Sequence, residues 1–128
     1  MEGLLKRLEV VALPVSDWQR SKKFYGETLG LPVAAFITDE IGWMEFGDKE
    51  GTHVAIGLWN RPEPFPGPCQ GGANPVFEVD DAFAAITELR RRGVRCDDPV
   101  PLAGMVTWAN FYDPDGNRLQ VAGPPPKA

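Results

Sequence analysis

A single histidine, His53, is the one side chain here whose unperturbed proton affinity lies near neutral pH. It opens a β-prone run, His53 to Trp59, and shares a strand face with Gly57 and Trp59 by simple alternation. An acid–base or ligand-binding role follows if that face lines a pocket; otherwise His53 is an exposed residue beside a turn. Glu78 poses the same choice. It shares a face with Asn74 and Val76, where a carboxylate can act as a base or anchor a cation, or sit at a solvated strand end. Glu45 alternates with Trp43 and leaves the same alternatives open. Gln120 is the last inward-facing side chain of the final hairpin. Asp113 and Asp115 are read as turn formers. Cys69 and Cys96 lack zinc-type spacing and are read as reduced thiols.

The aromatic residues set the character of any pocket. Trp43, Trp59 and Trp108 lie in predicted strands, with Phe36 nearby, whereas Trp18 belongs to a helix and packs it on a sheet. An aromatic-lined cavity with a few polar groups is the usual small-molecule site. Tryptophan on a sheet is also a good core residue.

The elements that must hold these residues occur twice. Leu8 to Val15 reads as a strand. Ser16 follows as an N-cap, with Gln19 completing a capping box. Trp18, Ser21, Phe24, Tyr25, Thr28 and Leu29 then share one helical face, and Gly30 ends the helix. Leu31 to Thr38, Ile41 to Phe46 and His53 to Trp59 are three further strands. Arg61 to Pro75 is rich in proline and glycine, which exclude helix and sheet interior, and is read as a crossover. The pattern then returns. Val76 to Val79 is a strand, and Asp80 or Asp81 caps a helix with Phe83, Ile86 and Leu89 on its apolar face. Gly93 ends that helix; Val94 to Cys96 begins a strand and Met105 to Tyr112 is another. Asp113-Pro114-Asp115-Gly116 turns the chain into a returning strand from Arg118 to Val121. Val15-Ser16-Asp17 and Val79-Asp80-Asp81 match at an offset of 64. The chain is therefore two β-α-β-β-β modules, about 5–60 and 76–123, joined by a linker at 61–75. Neither half is long enough to bury a core comfortably alone.

Composition narrows the function. With 43% hydrophobic and 24% charged residues the chain has the make-up of an ordinary globular domain. Its formal net charge of −5 argues against nucleic acid, which needs a basic face. The one basic run, Arg90-Arg91-Arg92, ends a predicted helix, where cations suit the helix dipole. No apolar run approaches a membrane span, and the N-terminus lacks a signal-peptide layout, so a cytoplasmic location without membrane contact is expected.

The paired modules, the segment VSDWQRSKKFYGETLGL and the segment FYDPDGNRLQV together resemble the vicinal oxygen chelate superfamily. That group holds glyoxalase I, bleomycin and fosfomycin resistance proteins and extradiol dioxygenases. The resemblance covers roughly Leu5 to Ala122 and implies an α+β fold in which paired βαβββ modules form a cupped mixed sheet. It also implies a homodimer. The family's metal-ligand positions fall on Val10, Gly57, Asn74 and Gln120, where His, Glu or occasionally Gln is usual. Valine and glycine have no side-chain donor and the amides are neutral, so no metal and no other cofactor is expected.

The resulting expectation is metal-independent binding of a small, partly aromatic molecule by His53, Gly57, Trp59, Asn74, Glu78 and Gln120. Gly57 is expected to leave space there, and Trp59 to form an aromatic wall. No catalytic residue is assigned. The alternative is a superfamily enzyme (lyase, isomerase or dioxygenase) with a substituted metal site or with Glu78 or His53 as base. A scaffold with a filled cup is a third class, recognisable by an exposed apolar patch.

Overall fold

Asp17 and Asp81 occupy equivalent places in the two halves, and each starts a helix. In the computed structural model, the Asp17 carboxylate accepts from Arg20 N–H, and the Asp81 carboxylate accepts from Phe83 and Ala84 N–H. These bonds satisfy amide donors that the first helical turn leaves open. The first cap is thus Asp17 and not Ser16, one residue later than the capping-box reading places it. The structure describes residues 3–4, 6–36, 39–48, 50–59, 62–68 and 74–126. Cys69, part of the crossover and the end of the run to Thr38 lie outside them.

The chain divides into two compact units, Met1–Pro62 and Glu63–Ala128. In the first, strand β1 (Val10–Val15) leads to helix α1 (Trp18–Lys23), which continues as a π-helical turn, Phe24–Thr28. Gly30 closes the helix with φ 71°. Strands β2 (Val33–Phe36), β3 (Trp43–Phe46) and β4 (His53–Leu58) follow. The sheet order is β1-β4-β3-β2, with β1 parallel to β4 and the other pairs antiparallel.

The second unit repeats this topology. It holds β5 (Val76–Glu78), α2 (Ala82–Arg91), β6 (Arg95–Cys96), β7 (Val100–Leu102), β8 (Val106–Tyr112) and β9 (Arg118–Gly123). β5 runs parallel to β9, β9 antiparallel to β8, and both β6 and β7 line the other side of β8. β6 and β7 are therefore one interrupted strand. Pro99, with no N–H to give a ladder, lies in the break. The fold is α+β, built of two mixed sheets and two helices in βαβββ order.

Each sheet buries the face its helix covers. In the first unit Leu13, Val15, Phe46, Val54 and Ile56 are buried with Trp18, Phe24 and Tyr25 from the helical segment. Tyr25 stacks on Phe46 with ring centres 5.7 Å apart. Trp18 also donates its indole N–H to Asp39, as does the Lys22 ammonium. In the second unit Ala109, Phe111, Leu119 and Val121 are buried with Ala82 and Ile86. Phe83 departs from its expected place and is 50% exposed. Its side of α2 points outward, because Ala82 and Ile86, one helical repeat apart, take the inward stripe.

At the end of α2, Arg91 and Arg92 both bind Glu88, holding its carboxyl at about 2, while Arg90 pairs with Asp98. Two carboxylates therefore offset most of the charge of the basic run at the helix end. Cys96 donates to Val94 O, and burial raises its thiol pKa. Among the described residues no helix is long and apolar enough to cross a membrane.

Candidate functional site

Strand registers decide which side chains share the faces that the helices leave open. In the first sheet Val10 pairs with His53, Ala12 with Ala55, Pro14 with Gly57, Trp43 with Gly57, and Glu45 with Ala55. Paired residues in a sheet point to the same side. Val10, Ala12, Pro14, His53, Ala55, Gly57, Trp43 and Glu45 therefore stand on one face, opposite buried Leu13 and Ile56.

A polar network crosses that face. Trp43 Nε1–H donates to Glu45 Oε2 at 2.9 Å, and Glu45 Oε1 lies 2.9 Å from His53 Nδ1. His53 Nε2 lies 2.6 Å from the Asp48 carbonyl. A carbonyl only accepts, so Nε2 carries a proton; a carboxylate at Nδ1 requires a second. Both ring nitrogens thus meet acceptor oxygens, which the imidazolium form satisfies. The Trp43 indole and then the His53 ring hold the Glu45 carboxyl below its ordinary value of 4.5, against the opposing effect of burial.

Beside this network is a cavity of 460 Å³ lined by residues that include Pro14, Ile41, Trp43, Gly57 and Trp59. Its size suits a small organic molecule. Trp59 follows β4 directly and is anchored by its backbone N–H to Val15 O at 3.0 Å. Gly57 does not leave the space open, contrary to expectation. A Cβ there would meet two Trp43 ring carbons at 3.2 and 3.3 Å, so the indole already lies over the glycine. Gly42, at φ 74°, returns the chain to the cavity mouth; a Cβ there would strike Leu58.

The second sheet offers its own open face. Val76 pairs with Gln120, Glu78 with Ala122, Asn110 with Gln120, Trp108 with Ala122, and Tyr112 with Arg118. Gln120 Nε2 donates to Asn110 Oδ1 at 3.1 Å, joining the two amides across the strands. Tyr112 donates to Asp97 and lies under the Arg95 guanidinium, 4.1 Å from its ring centre. Glu78 is exposed on β5. Asn74 just precedes β5, and its Oδ1 is buried with no hydrogen-bond partner.

His53, Gly57 and Trp59 thus belong to the first unit, with Trp59 and Gly57 in one cavity and His53 linked to it through Glu45 and Trp43. Asn74, Glu78 and Gln120 belong to the second. Trp43 and Glu45 join the site, although the sequence reading leaves them out of it; their alternation on β3, beside that of His53 and Gly57 on β4, is the available signal.

These residues do not fit a divalent metal. Val10 and Gly57 supply no donor, His53 spends both nitrogens on oxygens, and Gln120 is tied to Asn110. Among the described residues no three His, Cys, Asp or Glu side chains gather as a metal-binding group.

Known proteins are similar to this chain in sequence, and some in structure. YaeR of Escherichia coli (strain K12), an uncharacterized protein, is 30% identical, with 91% of this chain and 95% of that protein covered. The crystal structure of TnmS3, an antibiotic binding protein from Streptomyces sp. CB03234, is 28% identical, covers 96% of this chain and 99% of its own, and superposes with a TM-score of 0.72. A glyoxalase/bleomycin resistance protein from the same Streptomyces is 30% identical over 90% of this chain and 98% of its own, with a TM-score of 0.68. The family model described as Glyoxalase/Bleomycin resistance protein/Dioxygenase superfamily matches residues 7–121. On that match, which spans both modules and every residue of the two open faces but Ala122, the chain belongs to the glyoxalase/bleomycin resistance protein/dioxygenase superfamily.

Proposed function

We propose that this protein binds a small, partly aromatic molecule without a metal, and that the cavity of the first unit is where the aromatic part rests. The observation that carries this reading is the pairing of Trp43 and Trp59 around a 460 Å³ space. The Trp43 ring is held from two sides. Gly57 lets it come close to the strand, and Glu45 fixes its N–H. A fixed aromatic wall loses little entropy when a ligand stacks on it, and this favours binding. TnmS3, described as an antibiotic binding protein, supports the same direction at 28% identity.

The enzyme alternative has less support. Acid–base work by His53 requires a free ring nitrogen, and both face acceptors. Glu78 is exposed, and among the described residues no basic side chain pairs with it to orient it as a base.

The test is a tryptophan-fluorescence titration with 1-naphthol, a neutral aromatic probe. The proposal expects saturable quenching in the native chain and at least tenfold weaker binding in Trp59→Ala, with unchanged far-UV circular dichroism. Quenching that never saturates, or that Trp59→Ala leaves intact, overturns it.

A further inference from the structure

Thr107 is only 2% exposed, yet its hydroxyl makes no hydrogen bond among the described residues. Nor is that oxygen sealed. The unpartnered side-chain atoms that solvent cannot reach are, among the described residues, Ser21 Oγ, Asn74 Oδ1 and Arg118 Nε. The small opening that Thr107 keeps therefore includes its hydroxyl. Buried polar groups are nearly always paired, so this exception asks for a reason.

The space it meets is a cavity of about 380 Å³ at the start of α2. Thr107 stands on the helix side of β8 with buried Ala109 and Phe111, so its side chain faces that space. Gly123 pairs with Thr107 across the β8–β9 ladder. A Cβ on Gly123 would lie 3.0 Å from Val79 O and 3.3 Å from Ala82 N. The chain entering α2 thus comes down on the glycine and brings Asp80 and Asp81 to the same end of the sheet as Thr107. Half-exposed Phe83 and the prolines at 124–126 complete the walls. These walls hold two carboxylates and no basic side chain. Asp81 Oδ1 accepts from Phe83 and Ala84 N–H. Asp81 Oδ2 and the exposed Asp80 carboxylate have no hydrogen bond or ion pair among the described residues. An anion is disfavoured here, because the Asp81 carboxylate already occupies the helix N-terminus that would attract it. A cation meets two carboxylates at once.

We propose that this cavity binds a small primary ammonium compound with an apolar body. An ammonium has three N–H donors, and Asp80, Asp81 Oδ2 and the Thr107 hydroxyl are three acceptors lining one space. The apolar body rests on Phe83 and the prolines, where the exposed ring also attracts a cation to its face. Every residue of the site belongs to the second unit.

The test follows the assigned backbone amide signals of ¹⁵N-labelled full-length protein as probes are added. The probes are 2-phenylethylamine (ammonium and ring), 2-phenylethanol (the ring without the charge) and ethylamine (the charge with little apolar body). 2-Phenylethylamine is expected to shift the Phe83, Ala84 and Thr107 signals saturably, with a Kd of about a millimolar. 2-Phenylethanol and ethylamine should each bind there about fivefold more weakly or worse. Thr107→Val keeps the shape and removes the oxygen, and should weaken 2-phenylethylamine binding about fivefold; Asp80→Asn should do the same. No saturable shift of these signals with 2-phenylethylamine, or shifts confined to Trp43, Gly57 and Trp59, overturns the proposal. An equal response to 2-phenylethanol overturns the ammonium site, and an equal response to ethylamine overturns the apolar wall. Native binding by Thr107→Val overturns the role given to its hydroxyl. Should Thr107→Val fail to fold, the probe series on the native chain and Asp80→Asn, a change at an exposed side chain, still decide.

Discussion

Glu45 Oε1 and His53 Nδ1 lie 2.9 Å apart on the face of the first sheet opposite its helix. The pair joins β3 to β4 diagonally, since Glu45 is directly opposite Ala55. Its side chains are 21% and 12% exposed, so solvent screens the interaction only in part. Through Trp43 the same carboxylate also sets one wall of the candidate cavity.

That arrangement predicts an acid-side dependence of stability. The folded-state pKa of Glu45 lies below its ordinary 4.5. Its contribution is therefore complete above the unfolded value and is lost as pH falls through the lower, folded value. Glu45→Gln should lower stability by about 1 kcal/mol near neutral pH, from a weakened charge-assisted bond. The difference between native and variant in urea midpoint should shrink as the pH is taken below 4.5. A difference that stays constant through the acid range would show that the carboxylate's charge is not what stabilises the pair.

The strand faces were legible in the sequence because side chains alternate strictly, and Val10, His53 and Gly57 could be grouped from spacing alone. The repeat was legible because Asp17 and Asp81 head the two helices at matching positions. The misplaced cap shows the limit of that reading. Ser16 and Asp17 are both capping residues, and only backbone geometry decides between them; φ −126° and ψ 103° put Asp17 in the cap position. The Glu45–His53 pair was hidden because it depends on how far the chain advances through Gly47 to Thr52, and so on the β3–β4 register. β7 was missed because Pro101 sits inside it, where a proline argues against a central strand; here it lies on the sheet edge. The space over Gly57 was misread because alternation names the face but not which neighbour leans across it.

The hairpin between β8 and β9 depends on a buried polar pair. Asp113 Oδ1 accepts from Asp115 and Asn117 N–H at 3.0 and 2.8 Å, and its Oδ2 accepts from the Asn117 amide at 2.8 Å. Asp113 is 5% exposed and Asn117 fully buried. Asn117→Ala removes a buried hydrogen bond to that carboxylate and empties a fully buried site, and should cost about 2–3 kcal/mol. Asn117→Asp should cost at least as much, by setting a second carboxylate against Asp113. Denaturant midpoints of the two variants check this, and a loss under ~0.5 kcal/mol, the level of an ordinary surface change, would remove the turn from the parts that hold the sheet together.

Gly57 and Trp43 give the sharpest test of how the cavity wall is held. Adding a Cβ at position 57 brings it to 3.2 and 3.3 Å from two indole carbons, closer than ordinary van der Waals contact, so the ring must move. Trp43 cannot swing away freely, because its N–H is bound to Glu45. Two effects then oppose each other in Gly57→Ala. Overpacking costs on the order of 1–3 kcal/mol, while replacing a strand glycine recovers about 0.4–1 kcal/mol from the unfolded chain. A net loss of about 1 kcal/mol is expected, with a shift in tryptophan emission and weaker 1-naphthol binding. In a Trp43→Leu background the ring is gone and the added methyl meets nothing rigid. Gly57→Ala should then be neutral or stabilising, giving a coupling energy of about 1 kcal/mol or more in the double-mutant cycle. Additive effects, with the methyl equally costly in both backgrounds, would mean that the indole does not rest on Gly57 in solution.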